Sequence, residues 1–285
     1  MMKKLFKVLG ILMVLSLVVL VALGFIRSNG EITVSVLDIA SEKISEERTI
    51  CVLGDLHSKH FSSLVQKVQE ENPDIILMAG DIFDESDTEQ TITFKTIQEL
   101  NSICDVYYAL GNHELKLAER DPDFMNHLEQ IGVKIIDQTY FDIDDDVRIG
   151  GLYAYPFGWD EGGYNTADSA PADVQEFMRD FTDTERFQIF AAHRPDSFCF
   201  SDASEVYTID LVVSSHIHGG QVVIPVIGGL YGGDQGWFPE YVHGYYEKNN
   251  IDWLITSGLS SGKKKLPRFN NPPEIYVVRL YPEKQ

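Results

Sequence analysis

Three short apolar runs in the first half of the chain end alike. Residues 49–53 close on Gly54-Asp55, residues 74–79 (DIILMA) on Gly80-Asp81, and residues 106–110 (VYYAL) on Gly111-Asn112-His113. Between them lie stretches of helical spacing. Residues 62–71 place Leu64, Val65 and Val68 on one face and stop at Asn72-Pro73, and residues 93–103 follow the same period. Short apolar strands alternating with amphipathic helices restrict the chain to a layered α/β fold. The pattern continues with helices at 123–130 and 173–181 and with strands at 133–137, 147–153, 187–192, 209–214, 251–257 and 274–280. Residues 31–48 are polar and mixed, a first strand plus a connection. No repeat, low-complexity tract or linker divides residues 31–285, which are expected to form one domain.

Residues 1–30 are of another kind. Lys3, Lys4 and Lys7 precede an uncharged run over residues 8–26, close to the roughly 20 residues that a helix needs to cross a bilayer. The basic start predicts an N-terminus held in the cytoplasm and a remainder that is exported. Ala22-Leu23-Gly24 is a passable cleavage site, but the run is long for a signal-peptide core, and no cysteine follows it for lipid attachment. An uncleaved signal anchor is the favoured reading: a single-pass protein of the cell membrane with residues 31–285 outside the cytoplasm, secreted instead if the segment is cut. A buried core helix is disfavoured, since a segment apolar on every face would need a large core around it.

Charge narrows the partners. The chain carries a formal −21, and setting aside the four basic groups of residues 1–27 leaves −25. Such a surface repels nucleic-acid backbones, so DNA or RNA binding is disfavoured. Cys51, Cys104 and Cys199 are odd in number and lie in apolar surroundings. They predict buried free thiols, not a disulfide framework. No obligate protein partner is evident.

The residues that follow the strands carry the chemistry. In chain order they are Asp55 and His57 (GDLH), Asp81 (AGDIFD), Asn112 and His113 (GNHE), His193 (AAHRP), then His216 and His218 (SSHIHGGQ). Sites in open α/β sheets form where loops converge at the carboxyl ends of strands. Oxygen and imidazole donors without thiolate suit a dication such as Mn²⁺, Fe or Zn²⁺. Each motif alone has a plain structural alternative: Asp55 as a helix cap, Gly80-Asp81 as a turn pair, His193 as a satisfied strand-end histidine. His216-x-His218 in a β context puts both rings on one face, so alone it reads as a pair for one ion. Jointly, in this order, the five loops describe one site.

D-x-H, GD-x-x-D, GNH-E, a lone strand-end His and H-x-H in this order resemble the calcineurin-like metallophosphoesterase superfamily, over about residues 49–280. SHIHGGQ, and the late segment from Ser257-Gly258-Leu259-Ser260 to Pro272-Pro273-Glu274, are similar to its exported or membrane-anchored bacterial, YkuE-like branch. The resemblance implies a four-layered α/β/β/α sandwich after one N-terminal transmembrane helix. It implies two divalent metals, one held by Asp55, His57 and His218, the other by Asn112, His193 and His216, with Asp81 bridging both. His216 and His218 would then serve different ions. It further implies hydrolysis of a phosphomonoester, phosphodiester or pyrophosphate by attack of a metal-bridging hydroxide. His113 would be the catalytic acid or transition-state stabiliser, and Asp84 and Glu114 would orient the ligands.

Arg194, His243 and Arg268 are candidate substrate contacts. Lys263, Lys264 and Lys265 form with Arg268 the one basic cluster of an acidic domain. Trp159, Trp237 and Phe238 sit in glycine-rich loops, within residues 155–172 and 228–244, that would wall a cleft or pin themselves to the surface. Two alternatives stand beside the phosphoesterase reading: a non-catalytic anchored binding protein that keeps the metals, and a hydrolase of a lipid-linked pyrophosphate at the membrane surface.

Overall fold

The computed structural model describes residues 2–153, 166–262 and 266–283. An apolar helix α1 (Met2–Ser28) leads into strands β1 (Thr33–Ser41) and β2 (Arg48–Leu53). Helices and strands then alternate: α2 (Leu64–Glu70), β3 (Ile75–Ala79), α3 (Thr91–Asn101), β4 (Val106–Ala109), α4 (Asn112–Arg120), α5 (Phe124–Ile131) and β5 (Lys134–Ile135). The second half runs β6 (Thr139–Asp142), β7 (Val147–Leu152), α6 (Ala172–Thr182), β8 (Phe187–Ala192), α7 (Asp196–Phe200), α8 (Ala203–Val206) and β9 (Ile209–Ser214). Two short strands, β10 (Val223–Ile224) and β11 (Gly228–Gly229), precede β12 (Gly244–Lys248), β13 (Ile251–Ile255) and β14 (Glu274–Pro282).

Two six-stranded sheets result, ordered β1-β14-β2-β3-β4-β5 and β12-β13-β9-β8-β7-β6. Strands β2 to β5 run parallel, as do β13, β9, β8 and β7, while β14 is antiparallel to β2, β12 to β13 and β6 to β7. The sheets pack face to face. Ile50, Val52 and Leu77 of one meet Ile189, Val213 and Leu254 of the other in a shared apolar cluster. The outer face of the first sheet is covered by Leu64, Val68, Ile97, Phe124 and Leu128 of α2, α3 and α5. That of the second is covered by Phe177, Met178 and Phe181 of α6 with Phe198 of α7. These are the four layers α/β/β/α. Strands covered on both sides read as near-continuous apolar runs, and residues 75–79 and 187–192 are buried at every position, with Gln188 the one polar side chain.

Three expectations shift in detail. The strand foreseen at 133–137 shrinks to Lys134–Ile135. Helix α4 and the edge strand β12 occupy stretches to which the sequence pattern assigns no element, because both expose polar side chains that blur the period. Cys51 is fully buried, whereas Cys104 and Cys199 are only part-buried; all three are free.

The last turn of α1 is built into the segment around Phe269. Gly24 and Ser28 are its two buried residues. A Cβ on Gly24 would stand 2.3 Å from the Phe269 ring, so only glycine admits that ring. Phe25 meets Phe269 edge-on at 5.2 Å. Asn270 N–H donates to Gly24 O (3.0 Å) and Asn271 N–H to Ser28 Oγ (3.0 Å). Length and composition make this helix a candidate membrane anchor.

Candidate metal centre

The carboxyl ends of β2, β3, β4, β8 and β9 bring the strand-end residues into one cluster. Three groups of side chains have donor atoms within 4.8 Å of one another: Asp55, His57 and His218; His57, Asp81 and His113; and Asp81, His193 and His216. The loops after β2 and β3 are laced by Asp55 N–H to Gly80 O (3.0 Å) and His57 N–H to Asp81 O (3.0 Å). Gly111 lets the third loop in. A Cβ there would lie 2.2 Å from Asp81 Oδ1, so this approach excludes any side chain.

Five residues of the cluster hold left-handed backbone: Asp55 (φ 50), His57 (φ 49), Asp81 (φ 51), His216 (φ 69) and His218 (φ 48). Such conformations cost about 1 kcal/mol or more each outside glycine and concentrate where function over-determines the backbone. They also correct the H-x-H expectation. Strand β9 ends at Ser214, so His216 and His218 do not share a strand face. The turning backbone sends His218 to the group of Asp55 and His57, and His216 to that of Asp81 and His193.

Hydrogen bonds set the histidine tautomers. His193 Nδ1 lies 2.8 Å from Ala79 O, and His218 Nδ1 lies 2.9 Å from Ser260 O. A carbonyl only accepts, so in both rings Nδ1 carries a proton; in the neutral ring this leaves the lone pair on Nε2, the form in which imidazole binds metal. His113 is the reverse. Its Nδ1 accepts the Glu85 N–H at 3.0 Å, so the neutral ring carries its proton on Nε2, 3.8 Å from Asp81 Oδ2.

The centre calls for positive charge. Asp81 Oδ2 lies 3.2 Å from His193 Nε2 and 3.9 Å from His57 Nε2. Among the described residues, neither this buried oxygen nor the buried Asn112 Oδ1 at the start of α4 has a hydrogen-bond partner of proper geometry. Burial alone would raise the Asp81 carboxyl, but the imidazoles of His193, His57 and His113 outweigh it and hold it well below the carboxylate range. Burial likewise opposes protonation of His193, and Asp81 and Asp55 overcome it, lifting the imidazole to about 9. His216 Nδ1 and His193 Nε2 face each other at 3.2 Å, a separation that needs a proton or a cation between them. Carboxylate, amide oxygen and imidazole therefore fit a hard or borderline dication.

Glu114, fully buried, braces the loops. Its carboxylate accepts N–H groups from Asp81 (2.9 Å), Phe83 (3.0 Å) and Gly111 (2.8 Å) and the Tyr108 hydroxyl (2.9 Å). Burial and the Asp81 charge push its pKa up against those bonds. Asp84 Oδ1 accepts the Ser86 N–H (2.8 Å) and hydroxyl (2.6 Å). The structure engages the expected substrate contacts internally. Arg194 is buried and bonded to Asp196 (2.7 Å) and to Asp234. His243 Nε2 lies 2.9 Å from Glu274 Oε2. Arg268 spends its donors on Ser257 O, Gly258 O, Ser260 O, Asn271 O and Pro272 O, so it shapes the loop that supports His218. Trp159 and Lys263–Lys265 lie outside the described residues.

Supporting residues that the sequence did not single out are Tyr108, Ser215, Ser260 and Asn271. Ser215 Oγ donates to Ala79 O (2.9 Å) beside His193, and Asn271 Nδ2 donates to His218 O (2.7 Å). A serine at a buried strand end, directly before a ligand-type histidine, was the available signal for Ser215. Lys59 was also passed over; it lines a cleft of about 420 Å³ that opens beside His57, with Ser58, Asp84, Ser260 and Gly262.

Two sheets between helical layers, with this cluster at their strand ends, define a metallophosphoesterase. The chain belongs to the calcineurin-like phosphoesterase family, whose sequence profile matches residues 48–220, and is a phosphoester hydrolase of that family. Among individual proteins it is similar to an uncharacterized metallophosphoesterase of Helicobacter pylori, 26% identical over 92% of this chain and 67% of that one. An uncharacterized metallophosphoesterase of Campylobacter jejuni is 28% identical over 86% of this chain and 62% of that one, so the chain spans under two thirds of that relative. The uncharacterized metallophosphoesterase YkuE of Bacillus subtilis is 25% identical over 77% and 72%. A dimetal phosphatase from Danio rerio aligns with a TM-score of 0.40 at 11% identity, over 73% of this chain and 86% of that one.

Proposed function

We propose that the chain hydrolyses a phosphomonoester, phosphodiester or pyrophosphate bond with two divalent metal ions, outside the membrane that α1 crosses. In this reading residues 1–30 are the anchor and residues 31–285 the catalytic domain. One arrangement carries it: Asp81 is shared by two of the three donor groups, its buried Oδ2 facing several imidazole nitrogens. Asp55, His57 and His218 would hold one ion, and Asn112, His193 and His216 the other, with Asp81 common to both. Bound dications would neutralise phosphate oxygens and lower the pKa of water toward neutrality. His113, its Nδ1 occupied by the Glu85 N–H, would donate from Nε2 to the phosphate or the departing oxygen. Glu114 keeps Asp81 and Gly111 in place through their N–H groups.

The test is hydrolysis of p-nitrophenyl phosphate and its bis-ester by the purified chain loaded with Mn²⁺, Fe or Zn²⁺. Activity is expected in the parent and is expected to vanish in His218→Ala and in Asp81→Asn. Full activity in both variants would sink the proposal.

A further inference from the structure

The loop after the metal residues carries exposed apolar side chains beside the end of α1. From Phe269, which seals Gly24, the contact passes outward: Val223 N–H donates to Phe269 O (2.9 Å) and Asn270 Nδ2 to Val223 O (3.1 Å). Strands β10 and β11 then form a hairpin with Pro225, Val226 and Ile227 at its tip. Val226 is fully exposed and Ile227 is 61% exposed. Val226 holds φ 74, a strained setting for a β-branched residue. One step further along, Tyr231 bridges to Trp237, their rings 5.3 Å apart, and Phe238 N–H donates to Leu230 O (3.0 Å). Trp237 and Phe238 are 61% and 62% exposed. Exposed apolar groups gathered in this way mark an interaction surface.

We propose that the β10–β11 tip and the Trp237–Phe238 pair dip into the interfacial layer of the same bilayer that α1 crosses, as a second, shallow membrane contact. The proposal rests on the reading of α1 as a spanning helix. Continuity selects the occupant. Val226 lies three residues beyond Val223, a reach of about 10 Å, and Val223 is bonded to the segment that receives α1. The tip therefore stands close to where the helix leaves the protein. Tryptophan and tyrosine favour this depth, where an apolar ring body meets lipid and its polar edge meets water. Charge points the same way: residues beyond the anchor carry −25, so an anionic surface repels them and an apolar insertion is the contact left. His218 lies only five residues before Val223, at most about 17 Å along the chain, which keeps the metal residues near the headgroup layer.

The full chain would be reconstituted in phosphatidylcholine nanodiscs with and without lipid carrying a nitroxide near the top of the acyl chain. Trp237 is one of three tryptophans, so about a third of the emission is expected to be quenched, consistent with an interfacial ring. Trp237→Phe is expected to remove that quenching. Val226→Asp with Ile227→Asp is expected to cut it at least twofold, with an unchanged thermal midpoint showing that the fold persists. Equal quenching in parent and Trp237→Phe, in a chain that resists carbonate extraction, overturns the second contact and leaves the anchor standing. Release by carbonate removes the anchor and this inference with it. Absence of lipid quenching, together with self-association that the aspartate pair abolishes, would overturn it in favour of a second copy of the chain.

Discussion

The histidines of this centre are of two kinds, and the difference lies in which ring nitrogen meets a backbone group. His193 and His218 donate from Nδ1 to Ala79 O and Ser260 O and turn Nε2 inward. His113 receives an N–H at Nδ1 and turns a proton inward. The two kinds should fail differently. His113→Ala is expected to lower kcat by about 10²–10⁴ while metal content, measured by elemental analysis, stays at the parent level; His218→Ala is expected to lose metal. Loss of metal in His113→Ala would make that residue a ligand. The candidate donor residues could be read because each lies within a few residues of the end of an apolar run, where the polar type stands out. Ser215, Tyr108 and Asn271 were not, since they act through hydrogen bonds to distant carbonyls and carboxylates that no local pattern records. The period-two argument for His216 and His218 failed for a local reason: positive φ at both residues breaks the alternation on which it depends.

At the scale of elements, α4 is the instructive omission. Four of its nine residues are charged and it buries only Glu114 and Leu117, so no apolar stripe announced it. Its role is to set Asn112 and His113 at its start and Glu114 one turn in, where the carboxylate caps Gly111 and reaches the β3 loop. Strand β14 offers a comparable case at the other end of the chain. Glu274, almost fully buried, accepts bonds from Ser257 N–H (3.1 Å) and Ser35 Oγ (2.6 Å) and pairs with His243. Burial would raise its carboxyl, but His243, Ser35 and Ser257 outweigh it and hold it below 4.5. A depressed carboxyl favours the native state above its unfolded value and gives that contribution up as pH falls through the folded one. Glu274→Gln is therefore expected to cost about 2 kcal/mol at pH 7, lowering the thermal midpoint by roughly 4–8 °C. The gap between variant and parent should close as unfolding is followed below pH 4.5. A gap constant with pH would show that shape, not charge, was lost.

Taken whole, the layered fold was legible in the alternation of strands and helices, but strand order was not. Pairings such as β1 with β14 join the two ends of the chain, and no local signal encodes a contact across that separation. The metal residues sit where the two sheets' strand ends meet, so ions bound there would tie the halves together. A dication at a hundred times its dissociation constant adds about 2.7 kcal/mol to a native state that alone binds it. Chelation with EDTA is thus expected to lower the thermal midpoint of the loaded protein by about 5–10 °C, read by circular dichroism. An unchanged midpoint would mean that no such ions were holding the native state. The docking of α1 reaches the same place from outside. Ser28 Oγ accepts the Asn271 N–H, and the Asn271 side chain holds the His218 carbonyl. A peptidase cut at Ala22-Leu23-Gly24 would uncover Phe269 and leave Ser28 without the helix that positions it. Such a cut would take away a support that reaches, through Ser28 and Asn271, to the backbone of His218, so the apolar helix doubles as a piece of the site's scaffold.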